Sequence, residues 1–92
     1  MHQEYRLSVI TVNYNGLHDT CALLDHLAFD PNETEVIVVD NGSANNEAET
    51  IASRYAHVKC IRSESNLGFA GGNNLGIMHA KGKYLFFVNN DT

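Results

Sequence analysis

Apolar residues along the chain alternate between two patterns. Four short continuous runs rich in β-forming side chains, at residues 7–12, 35–39, 58–61 and 84–88, are separated by three segments in which apolar positions recur at helical spacing. Continuous rather than alternating hydrophobicity predicts strands buried on both faces, as in a parallel sheet. In the first intervening segment Leu17, Cys21, Leu24, Leu27 and Ala28 share one stripe. In the second, Ala48, Ile51, Ala52, Tyr55 and Ala56 do so, and Asn46 with Glu49 three residues on makes a capping pair at its start. The third, roughly residues 70–80, carries Leu75, Ile77 and Met78 and stops near Gly82. The order βαβαβαβ forces right-handed crossovers between parallel strands. It predicts an α/β, Rossmann-like three-layer fold with strand order 3-2-1-4.

Such sheets bind ligands beyond the C-terminal ends of their strands, where the strand order reverses. Four polar stretches occupy those places: Asn13-Tyr14-Asn15-Gly16, Asp40-Asn41-Gly42-Ser43, residues 63–74 and Asn89-Asn90-Asp91-Thr92. The first lacks the G-x-G-x-x-G of a dinucleotide site and instead offers Tyr14 to stack on a base, or simply to pack on a turn built by the two asparagines. Asp40 stands where nucleotide binders place a carboxylate for ribose or a base N–H, and equally where a helix takes its N-cap. Residues 66–76 hold four of the 7 glycines and open a helix whose N-terminal N–H groups either face an anion or serve close packing on the sheet. They lack the Gly-Lys-Ser/Thr ending of a P-loop. Asp91 is one carboxylate at a strand end, a metal ligand only if a nucleotide diphosphate supplies further oxygens, and otherwise a solvated chain end.

Composition narrows the partners. The 92 residues carry 6 Lys+Arg against 11 Asp+Glu, a formal charge of -5, which is the wrong sign for gripping nucleic acid through its phosphates. Cys21 and Cys60, without metal-ligand spacing, read as reduced core thiols. The five histidines show no metal-ligand pairing. No signal-peptide pattern or membrane-length apolar run is present, so a cytoplasmic location is expected.

The four motifs together, residues 9–16, 38–43, 66–77 and 87–92, closely resemble the family 2 glycosyltransferases of the GT-A fold, and within them the bacterial rhamnosyltransferase-like group that builds cell-surface polysaccharides. The resemblance implies that residues 1–92 are the truncated, N-terminal nucleotide-sugar-binding half of a GT-A domain. It places Tyr14 near a uracil or thymine ring and assigns base recognition to the pair Asp40 and Asn41, which is often Asp-Asp in relatives. Asn66 and Gly68 match the loop over the nucleotide, and Asn73 stands where many relatives have Arg. Asn89 and Asp91 match the ends of the Asp-x-Asp motif, with Asp91 reaching Mg²⁺ or Mn²⁺ on the donor diphosphate. The implied partners are a UDP- or dTDP-linked sugar and, for the full-length protein, a glycan or lipid-linked acceptor at the inner face of the membrane. The fragment itself is expected to be inactive and to form a homodimer through the edge of strand 4 or through the uncovered apolar face. A non-catalytic binding or dimerisation module and a nucleotidyltransferase-like domain are the rival readings. The latter is expected to show a Gly- and Lys/Arg-rich loop after strand 1, which this sequence lacks.

Overall fold

A computed structural model describes residues 4–90. Its seven elements are β1 (Tyr5–Asn13), α1 (Leu17–His26), β2 (Thr34–Asn41), α2 (Glu47–Arg54), β3 (Val58–Ser63), α3 (Gly68–His79) and β4 (Gly82–Phe87). All pairings are parallel and the sheet order is β3-β2-β1-β4, as the alternation of patterns predicts. The Asn46 side chain accepts from the backbone N–H of Glu49 at 3.1 Å, so the predicted cap of α2 forms.

Period-two alternation sorts the strand residues into two cores. Ile10, Ile37 and Val39 face α3 together with Ile61 and Leu75. Val38 faces the other layer with Leu24 of α1 and Ile51 of α2. Burying each of these large side chains stabilises the fold by about 1.5–3 kcal/mol. A buried carboxylate fixes the turn from α3 into β4: Glu35 accepts from Ser8 Oγ at 2.6 Å and from the backbone N–H of Lys81, while Gly82 N donates to Ser8 Oγ at 2.7 Å.

Two expectations change in the structure. Burial on both faces holds for the central strands β1 and β2, whereas Tyr84, Leu85, Phe86 and Phe87 on the edge strand β4 are 41–57% exposed. Helix α3 rests on the sheet through Gly72, Gly76 and Leu75, while Ile77 and Met78 face outward. Small residues let the helix axis come close. A Cβ added at Gly76 would lie 2.6 Å from Ile10 Cγ2, and one at Gly72 3.0 Å from Asn41 Nδ2. Close packing, one of the two roles open to this glycine-rich run, therefore accounts for these two positions. Among the described residues no helix is long and apolar enough to cross a membrane.

Ile10 is fully buried and its Cγ2 sits on a branched carbon with little freedom to yield. Gly76→Ala is therefore expected to destabilise the fold by about 1–3 kcal/mol despite the better helix propensity of alanine. Urea unfolding of the two proteins measures it, and an alanine variant as stable as the parent would show that α3 can move away.

Candidate functional site

A register-aligned polar row crosses the C-terminal ends of three strands. Asn13 on β1 is the ladder partner of Asp40 on β2, which is the partner of Arg62 on β3. All three project toward α1 and α2. The Asp40 carboxylate is fully buried and receives five donors: Ser43 Oγ and Asn13 Nδ2 on one oxygen, and the backbone N–H groups of Glu47 and Ala48 and Arg62 Nη1 on the other. The Arg62 contact is 2.7 Å. Asn46 is the N-cap residue of α2, and Asp40, from the end of β2, accepts from two further N–H groups of its first turn.

The neighbouring Asn41 points to the opposite face of the sheet and holds the loop leading into α3. Its Nδ2 donates to Asn66 Oδ1 at 3.2 Å and to Gly68 O at 3.0 Å, and its Oδ1 accepts from Leu67 N at 2.9 Å. Asn66 closes the same loop by accepting from Gly68 N at 2.8 Å. The backbone at Gly42 and Gly68 is left-handed, with φ of 81° and 78°. At Gly42 a side chain is also excluded by space, because a Cβ would lie 2.5 Å from Asn66 N.

Between these two arrangements a cleft of about 410 Å³ opens at the switch point between β1 and β4. Tyr14, Asn41, Asn66 and Asn89, four of the residues singled out in the sequence, line it, with Val12, Phe69 and Asn90. Tyr14 is 51% and Phe69 65% exposed, so two aromatic rings are open to a flat ligand. Asp40 and Gly68 do not line the cleft. Asn73 lines an adjoining, mostly apolar hollow that shares Phe69. Asp91 falls outside the described residues. A larger depression of about 690 Å³ lies at the opposite end of β1 and β4, between Arg6, Lys81, Lys83 and Tyr84. It gathers none of the predicted residues and sits at the wrong end of the strands for a doubly wound sheet.

Among the described residues no group of three or more His, Cys, Asp or Glu side chains converges to hold a metal. The cleft offers neutral amides. Such a donor set fits a hard cation only when a diphosphate brings most of the oxygens. The cysteines are free, and burial pushes the Cys60 thiol up to about 11, which keeps it protonated and unreactive.

Sequence reasoning singled out neither Arg62 nor Thr20. Thr20, fully buried in the first turn of α1, donates to Asn13 Oδ1 at 2.6 Å and accepts from Asn90 Nδ2 at 2.9 Å. A lone cation at the end of strand 3 was the available signal for Arg62. Thr20 offered none, because a threonine on an apolar stripe reads as packing.

Burial pushes the Asp40 carboxyl upward, but the hydrogen bonds from Ser43, Ala48 N–H, Asn13 and Arg62 outweigh it and hold the group below its ordinary value of 3.8. Its stabilising effect is therefore complete above about pH 4 and is lost as pH falls through the lowered value. Asp40→Asn is expected to cost about 3 kcal/mol at pH 7, where Arg62 loses its partner, and the gap from the parent is expected to shrink toward pH 2–3. Unfolding at both pH values checks this; a gap independent of pH would mean that the charge carries none of the effect.

Residues 8–92 match the family described as glycosyl transferase family 2. An uncharacterized glycosyltransferase of Rickettsia prowazekii is 36% identical over 86 residues, covering 92% of this chain and 27% of the relative. The uncharacterized glycosyltransferase YibD of Escherichia coli is 33% identical, covering 99% of this chain and 27% of its own length. The chain thus spans about a quarter of the length of these relatives. Among solved structures, Staphylococcus aureus TarS 1–349 in complex with UDP-GlcNAc superposes with a TM-score of 0.76 at 29% identity, over 94% of this chain and 26% of TarS. The UDP complex of the same protein superposes equally well, at 0.76. With a parallel 3-2-1-4 sheet, a polar switch-point cleft and a match over residues 8–92, the chain belongs to glycosyltransferase family 2.

Proposed function

We propose that this chain is the donor half-site of an inverting glycosyltransferase and binds the nucleoside diphosphate of a UDP- or dTDP-linked sugar in the cleft between Tyr14 and Asn89. The convergence of Tyr14, Asn41, Asn66 and Asn89 on one cleft at the switch point carries this reading. The TarS complexes with UDP-GlcNAc and UDP support it. Tyr14 supplies a ring for the base. Asn66, its oxygen engaged by Asn41 and Gly68, retains its amide N–H groups for a base edge or ribose. Asn41 and Gly68 shape the loop, and Asp40 fixes the strand ends that carry both. Asn73 stands on the neighbouring hollow, toward the sugar side.

Asn89 and Asp91 would hold Mg²⁺ or Mn²⁺ together with the diphosphate. When bound, the cation neutralises charge on the departing nucleoside diphosphate. The base that deprotonates the acceptor, and the surface for a glycan or lipid-linked acceptor of cell-surface polysaccharide synthesis, are assigned to residues outside these 92. Turnover by the chain alone is not expected. The free thiols agree with a cytoplasmic site of action, peripheral at the membrane. Asn41 in place of a second aspartate supports the rhamnosyltransferase-like group, for which dTDP is the discriminating nucleotide.

Calorimetric titration of UDP and dTDP, with and without Mn²⁺, tests the reading. Binding is expected and is expected to tighten with Mn²⁺. Asp91→Ala should remove only the metal-dependent part, and Tyr14→Ala should weaken both nucleotides about tenfold through lost stacking. A chain that binds neither nucleotide would be a structural module.

A second reading, self-association, is favoured by the four large exposed side chains of edge strand β4. Sedimentation at rising concentration should show a dimer. A strict monomer at millimolar concentration rules it out.

A further inference from the structure

We infer that Thr20, which does not line the cleft, is a positioning residue for it: its buried hydroxyl sets the orientation of Asn90, so that the post-β4 wall presents a carbonyl oxygen to the ligand. The inference rests on the nucleotide-sugar reading of the cleft.

The chemistry of the chain of hydrogen bonds fixes every direction in it. The carboxylates of Asp40 and Glu47 only accept, so both must be met by Asn13 Nδ2, at 3.2 and 3.0 Å. Asn13 Oδ1 is thereby turned toward α1. An amide oxygen cannot donate, so Thr20 must give it the one hydroxyl proton, at 2.6 Å. The threonine oxygen is then left with lone pairs alone, and Asn90 must meet it with Nδ2, at 2.9 Å. The order Asn90 N–H to Thr20 O–H to Asn13 carbonyl, with Asn13 N–H to Asp40, runs from the cleft wall to the ion pair with Arg62. Chains polarised in one sense strengthen each bond, and the buried end allows no water to substitute.

Asn90 therefore lines the cleft with one amide N–H tied to Thr20, which fixes the amide's flip and leaves its carbonyl oxygen on the side away from Thr20, with the second N–H beside it. An oxygen there suits a donor, such as a sugar or ribose hydroxyl or a cation-bound water. A second observation supports the same wall. A Cβ at Gly16 would lie 3.1 Å from Asn90 Nδ2, although the backbone at Gly16, with φ of -125°, is open to any residue. Glycine at this position makes room for the Asn90 amide.

The test uses the 92-residue chain, UDP with Mn²⁺, and the side-chain amide resonances of Asn90. Thr20→Val keeps the shape and removes the hydroxyl; it is expected to move the Asn90 amide resonances and weaken UDP about fivefold, the worth of one ordinary hydrogen bond. Thr20→Ser should restore both. Asn90→Ala should weaken UDP to a similar degree, and the double variant Thr20→Val with Asn90→Ala should be no weaker than the poorer single one. Gly16→Ala, which removes no hydrogen-bonding side chain, should also weaken UDP. Should Thr20→Val fail to fold, Asn90→Ala and Gly16→Ala carry the same test from half-buried positions. Unchanged UDP affinity in these variants, or additive losses in the double variant, would overturn the positioning role. A parent chain that binds no UDP would instead sink the nucleotide reading on which it rests.

Discussion

The Asp40 carboxylate is the group on which the rest of the site depends. A buried charge is costly unless paired and hydrogen-bonded, and here five donors from β1, β3, the loop after β2 and the start of α2 converge on it. Each donor belongs to a segment that would otherwise end in solvent at the C-terminal edge of the sheet. Satisfying the charge therefore obliges those ends to meet. The rim of the cleft is assembled by the fold itself, before any ligand arrives, which is the condition for binding without a large ordering cost.

Consecutive residues on a strand face opposite ways, and the site exploits this at a single peptide. Asp40 ties down the α2 layer while Asn41, one residue on, ties down residues 66–68 and the start of α3. One strand end thus secures both layers that flank the cleft. A slip of one residue would exchange the two faces and leave the carboxylate in the place of the Asn41 amide, beside Val12 and Gly72 and away from Arg62 and the N–H groups of α2. The hydrophobic sequence Val36–Val39 beneath holds the register that prevents this, with alternate residues sealed into two separate cores.

The architecture was legible because runs such as residues 35–39 and the stripe through Ala48 and Ile51 state their period directly, and parallel connections leave few topologies. The cleft was legible in outline, since the switch-point rule names strand ends without needing side-chain geometry. What the pattern could not convey is direction across the sheet. That Arg62 lies beside Asp40 depends on register between strands more than twenty residues apart, and that Thr20 reaches Asn90 depends on a contact spanning 70 residues. Apolar stripes also mislead where glycine is the contact surface. Ile77 and Met78 look like core, yet Gly72 and Gly76 bring the helix down on the other side.

Charge decides how this cleft can treat a diphosphate. Its described lining is made of amides, aromatic rings and one valine, with no Lys or Arg. Arg62, near the C-terminal end of β3, is engaged with Asp40 and with the backbone oxygens of Ser43 and Asn45. It cannot turn to a phosphate without abandoning a buried carboxylate, a loss of several kcal/mol that one exposed phosphate contact does not offset. The overall charge of -5 adds repulsion at long range. The described lining of the cleft thus supplies no counter-charge to a diphosphate, in keeping with the proposed role of a cation there. Neutral amides such as those of Asn89 and Asn90 can meet a cation or its waters through oxygen, and none of them carries the positive charge that a bare diphosphate needs. Under the proposed donor-site reading, the amides of Asn41, Asn66, Asn89 and Asn90 match the many hydroxyl groups of a ribose and a sugar, each of which both donates and accepts.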